Sequence, residues 1–163
     1  MGWLQDPLET SRLVLRAPTE SDLDVIVRML TDPTVRGYLG GPVPEDRARA
    51  TLAGPPGEKW GSFLVTRATD AAVVGSCLVD AADGELDISY QLLPEFWGHG
   101  YAREAVLAVL DWIWHETDAG HVVAVTRADN AASVKLLQVV GMSMESEFED
   151  HGAWFIRFHL DRP

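Results

Sequence analysis

Hydrophobic and polar positions along this chain follow two periods, and the shorter period predicts strands. Five segments have it: RLVLR, SFLVT, VVGSCLV, ELDISYQLL and VVAVTR, with turn-forming ATDAA and DAADG between the middle three. Two later runs, around Ser143 to Phe148 and Trp154 to Leu160, predict a closing hairpin. The pattern therefore predicts about seven strands, three of them in a meander.

Apolar positions at helical spacing lie between these strands. The first predicted helix contains Leu23, Ile26, Val27 and Leu30 and ends at Pro33, and Ser21 with Asp24 resembles a capping box in front of it. Three further helices are predicted over Glu45 to Leu52, Tyr101 to Glu116 and Asn130 to Val140, the last ending at Gly141. This order of strands and helices favours a mixed sheet covered by helices.

Length and charge narrow the possible classes of protein. A chain of 163 residues, 47% hydrophobic, suffices for one globular domain over residues 1–163. The formal charge of -12 disfavours nucleic acid and anionic membranes as partners and attracts cationic substrates, although an acidic surface also serves solubility alone. Cys77 is the only cysteine, and neither a signal peptide nor a membrane-spanning run is found, so a cytoplasmic protein is expected.

The predicted helix after PEFWGHG has no Asn, Asp, Ser or Thr in front of it to cap its first backbone N–H groups. An external anion is one candidate for those donors, and the glycines would let its phosphates approach. A dinucleotide fingerprint fails because Arg103 stands where a third small residue is needed, and a P-loop fails because no Gly-Lys-Ser/Thr follows. A pyrophosphate on Gly98 and Gly100, or a simple tight turn, remain as alternatives.

Three separated motifs resemble those of one family. ETSRLVLRAPTESDLD, LDISYQLLPEFWGHGYAREA and RADNAASVKLLQVVGM are similar to the GNAT superfamily of N-acetyltransferases, and more narrowly to its Rim-type branch, which acetylates protein N-terminal amines. The resemblance covers nearly the whole chain. It implies a single-domain α/β (α+β mixed) GNAT-like fold, with a mostly antiparallel twisted sheet of about seven strands and about four helices. It also implies that acetyl-CoA is the cofactor whose pyrophosphate takes the free N–H groups.

The resemblance assigns cofactor contacts to three segments. The pyrophosphate loop and first helical turn comprise Trp97, Gly98, His99, Gly100, Tyr101, Ala102 and Arg103. Trp97 stands where many members have Arg or Gln, so backbone N–H groups must serve the phosphates. Gln91, Leu92 and Leu93 fall where two parallel strands separate and pair with the pantetheine arm. Asn130 falls at the Asn-x-x-Ser motif, where it contacts that arm or simply caps the helix.

The same resemblance assigns the chemistry. Asp87 aligns with the strand carboxylate that acts as general base, and its shorter side chain favours a water relay; Glu85 is the second candidate. Ser133 is the candidate acid, since Leu137 stands where many members place a Tyr. The alternatives are a solvated Asp87 and an ordinary helix serine.

An acetyltransferase that joins acetyl-CoA and a primary amine by direct attack in a ternary complex is the expected function. A non-catalytic acyl-CoA-binding or sensing module is the alternative. The acceptor is expected to be cationic, and a peptide N-terminus, an aminoglycoside and a polyamine all fit. The chain is expected to be a monomer or homodimer. No metal site is expected, because the five histidines lack ligand spacing.

Overall fold

The strands form a single eight-stranded sheet in the computed structural model, which describes residues 3–51 and 54–163. Its strands are β1 (Leu8–Glu9), β2 (Leu13–Arg16), β3 (Ser62–Arg67), β4 (Val73–Ala82), β5 (Glu85–Leu92), β6 (His121–Arg127), β7 (Ser143–Asp150) and β8 (Ala153–Asp161). They lie in the order β1-β2-β3-β4-β5-β6-β8-β7, and β5 and β6 form a parallel pair among antiparallel neighbours. The mixed, mostly antiparallel sheet is confirmed. The additional strand is β1, which at two residues is too short for periodicity to reveal.

Four helices flank the sheet within the described residues. They are α1 (Leu23–Thr31), α2 (Glu45–Thr51), α3 (Tyr101–Glu116) and α4 (Ala131–Val139). The predicted bounds of α3 are confirmed, and the predicted end of the second helix at Leu52 lies outside the described residues. No helix in the described part of the chain combines the length and apolarity needed to cross a bilayer.

The two faces of the sheet are covered by different helices. The larger core packs α3 and α4 against one face, with Phe63, Val79, Ile88 and Phe158 almost wholly buried. A smaller core on the other face joins Met29 of α1 to Leu64 and Leu93. Alternation along β5 thus sends Ile88 toward α3 and leaves its neighbour Asp87 on the opposite face.

The free backbone groups of helix α3 have side-chain hydrogen-bond partners at only one of its two ends. Arg162 donates to the carbonyls of Trp114, Thr117 and Ala119 at its C-terminus, at 2.8, 2.5 and 2.9 Å. At its N-terminus the cap residue is Gly100, which adopts a left-handed conformation with φ of 79° and has no side chain to accept hydrogen bonds. The uncapped start predicted from sequence is therefore present, and it leaves donors for a ligand.

The cap in front of α1 differs from the predicted one. Asp22, and not Asp24, is the capping carboxylate: it accepts from the Thr19 backbone N–H at 2.7 Å and from Arg16 at 2.7 and 3.0 Å. Asp22 is buried, whereas the Asp24 side chain is 92% exposed. The prediction of a Ser21 and Asp24 box was wrong because a short 3-10 turn, Glu20–Asp22, precedes the helix and moves the cap two residues back.

Asp22→Ala should therefore lower the free energy of unfolding by about 2–3 kcal/mol, because it leaves the Arg16 guanidinium without its carboxylate. Asp24→Ala is the matched control and should change it by less than about 0.5 kcal/mol. Urea denaturation of the three proteins measures both values. Similar losses in the two variants would contradict the assignment of the cap.

Candidate active site

The parallel strands β5 and β6 separate soon after they meet. Their register includes Leu86 opposite Val122 and Asp87 opposite Val123, and no later pair. Beyond that point β5 continues against β4, and β6 continues against β8 as far as Arg127. The backbone groups of Ile88 to Leu92 that face β6 are thereby left without a strand partner and open to a ligand.

A cavity of about 1000 Å³ lies in this gap. Its wall includes the glycine loop and the first turn of α3, with Gly98 and Gly100. The wall also includes residues between 34 and 40, after α1, and the tip of the β7–β8 hairpin, including Asp150. One cavity is therefore bordered both by the uncapped helix end and by elements that do not belong to it, which suits a site for two substrates.

Ten of the thirteen predicted site residues line this cavity. They are Gln91, Leu92, Trp97, Gly98, Gly100, Tyr101, Ala102, Arg103, Asn130 and Ser133. Leu93 is instead buried in the smaller core, and the His99 ring lies beside Tyr101 with ring centroids 5.6 Å apart. Asp87 lies on β5 just before the lining residues Ile88 and Ser89.

The glycine loop is braced by Arg12, a residue that sequence reasoning missed. Its Nη1 donates to the His99 carbonyl at 2.9 Å, and its Nε donates to the Glu104 carboxylate at the same distance. Its guanidinium also lies 4.6 Å from the Tyr101 ring centroid. Arg12 thus ties the start of β2 to both sides of Gly100, a contact across 87 residues that no local pattern signals.

Asp87 and Glu85 have opposite electrostatic environments. Burial, reinforced by Asp80 on the neighbouring strand, raises the pKa of Asp87 to about 6. Hydrogen bonds from Arg157 at 2.6 Å and from His121 at 2.9 Å lower the pKa of Glu85. Asp87 is therefore a carboxylate with free lone pairs and raised basicity, whereas Glu85 is held in an ion-pair network.

The first turn of α4 brings polar groups to the cavity wall. Asn130 caps the helix, since its Oδ1 accepts from the Ser133 backbone N–H at 3.3 Å, and both residues line the cavity. The Ser133 hydroxyl lies 2.7 Å from the Tyr90 hydroxyl of β5. Sequence reasoning missed Tyr90 because it sought a tyrosine on the last helix. Strand alternation was the available signal, since it places Tyr90 with Ile88 on the face that α3 and α4 cover.

Comparison with known proteins identifies the family. A sequence profile described as Acetyltransferase (GNAT) domain matches residues 12–143. The chain belongs to the GNAT acetyltransferase family. This GNAT protein is 27% identical over 156 residues to the uncharacterized N-acetyltransferase p20 of Bacillus licheniformis, covering 90% of this chain and 87% of p20. The family and the names of such relatives make the chain an acyltransferase.

Solved structures share its fold. A GNAT-family acetyltransferase from Bacillus anthracis superposes with a TM-score of 0.85 at 21% identity, over 95% of this GNAT chain and 98% of that one. Rim-type enzymes are among the structural neighbours: a ribosomal-protein-S5-alanine acetyltransferase from Vibrio fischeri gives 0.76 at 17% identity, over 95% and 96% of the two chains. A spermidine N-acetyltransferase from Vibrio cholerae, solved with CoA and spermine, also gives 0.76 at 17%, over 93% and 96%.

No group of three or more His, Cys, Asp or Glu residues in ranges 3–51 and 54–163 is placed to hold a metal ion. Two of the histidines make ordinary polar contacts. His121 bonds Glu85, and His115 Nδ1 lies 2.8 Å from the Asp111 carbonyl one turn earlier in α3.

The two carboxylates should titrate far apart. The Asp87 carboxyl should titrate near pH 6, and Glu85 should titrate below the ordinary range of a glutamate, as followed by side-chain carboxyl NMR chemical shifts. Asp80→Asn removes one of the negative charges that raise the pKa of Asp87 and should lower it, with little effect on Glu85. An Asp87 pKa of about 4 in the wild type would contradict the burial of this carboxylate.

Proposed function

We propose that this chain is an acetyl-CoA-dependent N-acetyltransferase that transfers an acetyl group to a primary amine by direct attack in a ternary complex. One observation carries the proposal: a single cavity in the β5–β6 gap is lined both by the uncapped end of α3 and by residues between 34 and 40. Donor and acceptor can therefore occupy the same cavity and react directly. Residues 1–163 are proposed to act as one catalytic domain.

The residues at the α3 end fit a pyrophosphate. Gly98 and Gly100 both have positive φ, near 78° and 79°, so the loop turns without side chains that would block an approaching phosphate. The backbone N–H groups of the first turn would hold the phosphates together with the helix dipole. Trp97 has an uncharged side chain and so adds no charge for the phosphates. Its Nε1 donates to the Leu92 carbonyl at 2.9 Å and fixes the loop to β5. Acetyl-CoA supplies the acetyl group as an activated thioester.

Asp87 is proposed as the general base. It must receive a proton from the acceptor ammonium, and the raised pKa of about 6 leaves it ionised at neutral pH yet more basic than an ordinary aspartate. Ser89, two residues further on the same face, lines the cavity, so a water relay spans about 7 Å of strand. Glu85 is the weaker candidate because Arg157 and His121 already occupy its oxygens.

Ser133 is proposed to donate a hydrogen bond to the departing sulfur. Its hydroxyl lies at the N-terminus of α4, where the positive end of the helix dipole also favours a developing negative charge. Asn130 fixes the backbone of this turn and is proposed to contact the cofactor arm as well. Asn130 can cap the helix and contact the cofactor arm at the same time, because the cap uses Oδ1 and leaves the Nδ2 amide free to donate.

A cationic amine is the proposed acceptor class. The chain carries a formal charge of -12, which assists the encounter with an ammonium group. The names of the two fold neighbours, one for a ribosomal-protein alanine and one for spermidine, support either a peptide N-terminus or a polyamine. An aminoglycoside also carries several amines. A cytoplasmic monomer or homodimer is part of the proposal.

Binding of acetyl-CoA should depend on Gly100. Gly100→Val strains a left-handed residue and places a Cβ 3.4 Å from Arg12 Nη2, beside the phosphates, so calorimetric affinity should fall at least about tenfold. Gly84→Val is the matched control: it has a φ of 81° with open space around it, at the β4–β5 turn, and should bind normally. Equal affinity in both folded variants would show that the loop is only a turn.

Turnover tests the transferase itself. Release of free CoA from acetyl-CoA should be observed with at least one of three probes: a short unblocked peptide, spermine or kanamycin. Asp87→Asn should lower kcat about 100-fold at neutral pH with little change in acetyl-CoA affinity. Because the base must be ionised, wild-type kcat should fall as pH drops through about 6. The variant should recover at high pH, where the amine is already neutral.

Two outcomes would count against this scheme. CoA binding without release in the presence of any probe would favour the non-catalytic binding module. Equal kcat for wild type and Asp87→Asn at every pH would remove Asp87 from the mechanism and direct attention to Glu85.

Repeating the assay at low and high salt tests charge steering, since the preference for spermine over a neutral amine should shrink as salt rises.

A further inference from the structure

Two hydroxyl groups meet in the wall of the cavity. Tyr90 projects from β5 on the side of α3 and α4, Ser133 projects from the first turn of α4, and their oxygens lie 2.7 Å apart. We infer that Tyr90 is a positioning residue for the transfer: its phenol donates to Ser133 Oγ and thereby aims the Ser133 O–H at the departing sulfur. This inference rests on the proposed function.

The location follows from what lines the cavity. The glycine loop, proposed to hold the phosphates, shares one cavity with Tyr90 of β5 and Ser133 of α4, beyond the last pair of β5 and β6. The bond that breaks is placed in this gap. Tyr90 and the first turn of α4 border the gap from the face that α3 and α4 cover, while Asp87 lies on the opposite face of β5. The proton acceptor and the hydroxyl pair therefore approach the reacting bond from opposite sides.

The direction of the hydrogen bond follows from acidity and geometry. A phenol is the more acidic hydroxyl, so Tyr90 is the natural donor, and Ser133 Oγ has lone pairs to accept it while its own proton remains free. Burial raises the pKa of Tyr90 to about 12, so the phenol keeps its proton at neutral pH and stays a donor. Successive hydrogen bonds polarise one another, which makes Ser133 a stronger donor than an isolated serine.

The step balances without a further reactant. The amine nitrogen forms a bond to the acetyl carbon, the carbon–sulfur bond breaks, and sulfur leaves with the electron pair. The ammonium gives its first proton to Asp87 before attack, directly or through water, and the nitrogen releases its second proton to solvent after the bond has formed. Ser133 stabilises the thiolate through a hydrogen bond without giving up its proton, and the released thiolate takes a proton from solvent.

Ionisation of bound CoA measures this hydrogen bond without any acceptor. Thiolate absorbance in the ultraviolet is followed from pH 6 to 9 with the protein saturated with CoA. Cys77 does not contribute, because burial raises the pKa of its thiol to about 12. Tyr90→Phe and Ser133→Ala should each lower the acid dissociation constant of the bound CoA thiol about tenfold. The double variant should lose no more than the worse single variant, since the two hydroxyls act as one unit.

Further variants separate positioning from mere structure. Replacing Tyr90 by 3-fluorotyrosine keeps its shape and makes the phenol a stronger donor, so the thiolate fraction should rise above wild type. Ser146→Ala, on the exposed strand β7, is the serine control and should leave the thiolate fraction of bound CoA unchanged. Calorimetric CoA affinity and thermal melting verify that Tyr90→Phe remains folded; should it not, the fluorotyrosine protein still decides the question.

An equal thiolate fraction in wild type, Tyr90→Phe and fluorotyrosine protein would overturn the inference, and so would additive losses in the double variant. Failure of the wild type to bind CoA would overturn the proposed function and this inference together. Normal CoA binding with an unperturbed thiolate would overturn only the inference. In the turnover assay, Tyr90→Phe should lower kcat about 10- to 100-fold with KM for acetyl-CoA nearly unchanged.

Discussion

The separation of β5 from β6 is the constraint on which the rest of the site depends. Strand β5 remains paired with β4, and strand β6 remains paired with β8. The sheet can therefore open between β5 and β6 while each strand keeps its other hydrogen-bonded neighbour. The two strands pair only as far as Asp87 and Val123. A buried backbone cannot leave its polar groups unpaired, so a gap of this kind in a sheet is stable only where water or a ligand fills it.

Helix α3 complements that gap through the imbalance between its two ends. Arg162 and Thr117 satisfy the C-terminal carbonyls, while Gly100 offers the N-terminal N–H groups nothing. The helix is held firmly by its apolar face, including Val106 and Val109, which are fully buried in the larger core. Packing therefore tolerates an unsatisfied end and keeps those donors available for an anion.

On the sheet face opposite α3 and α4, some charged side chains form ion pairs and one is left available for chemistry. Arg157 bridges Glu85 and Glu145, and His121 completes the network around Glu85. Asp87, in the last residue pair between β5 and β6, lies beside Asp80 of β4. Neighbouring acids on one strand are thereby pushed to opposite basicities, the situation in which a base can be told apart from a structural carboxylate.

The sequence by itself determined most of the secondary structure, because strands and helices here follow local periodicity: the bounds of α3 and the strands of the meander match their patterns. It also determined the uncapped glycine loop, and resemblance added ten residues that do line one cavity. The cap at Asp22 is a local feature, three residues from Thr19, and the structure selected it over Asp24. Tertiary structure alone decided the brace by Arg12 and the pairing of Tyr90 with Ser133. Both depend on which side chains the sheet register and helix packing bring within hydrogen-bonding distance. Arg12 is far from His99 in the chain, as Tyr90 is from Ser133, so no local pattern contains that information.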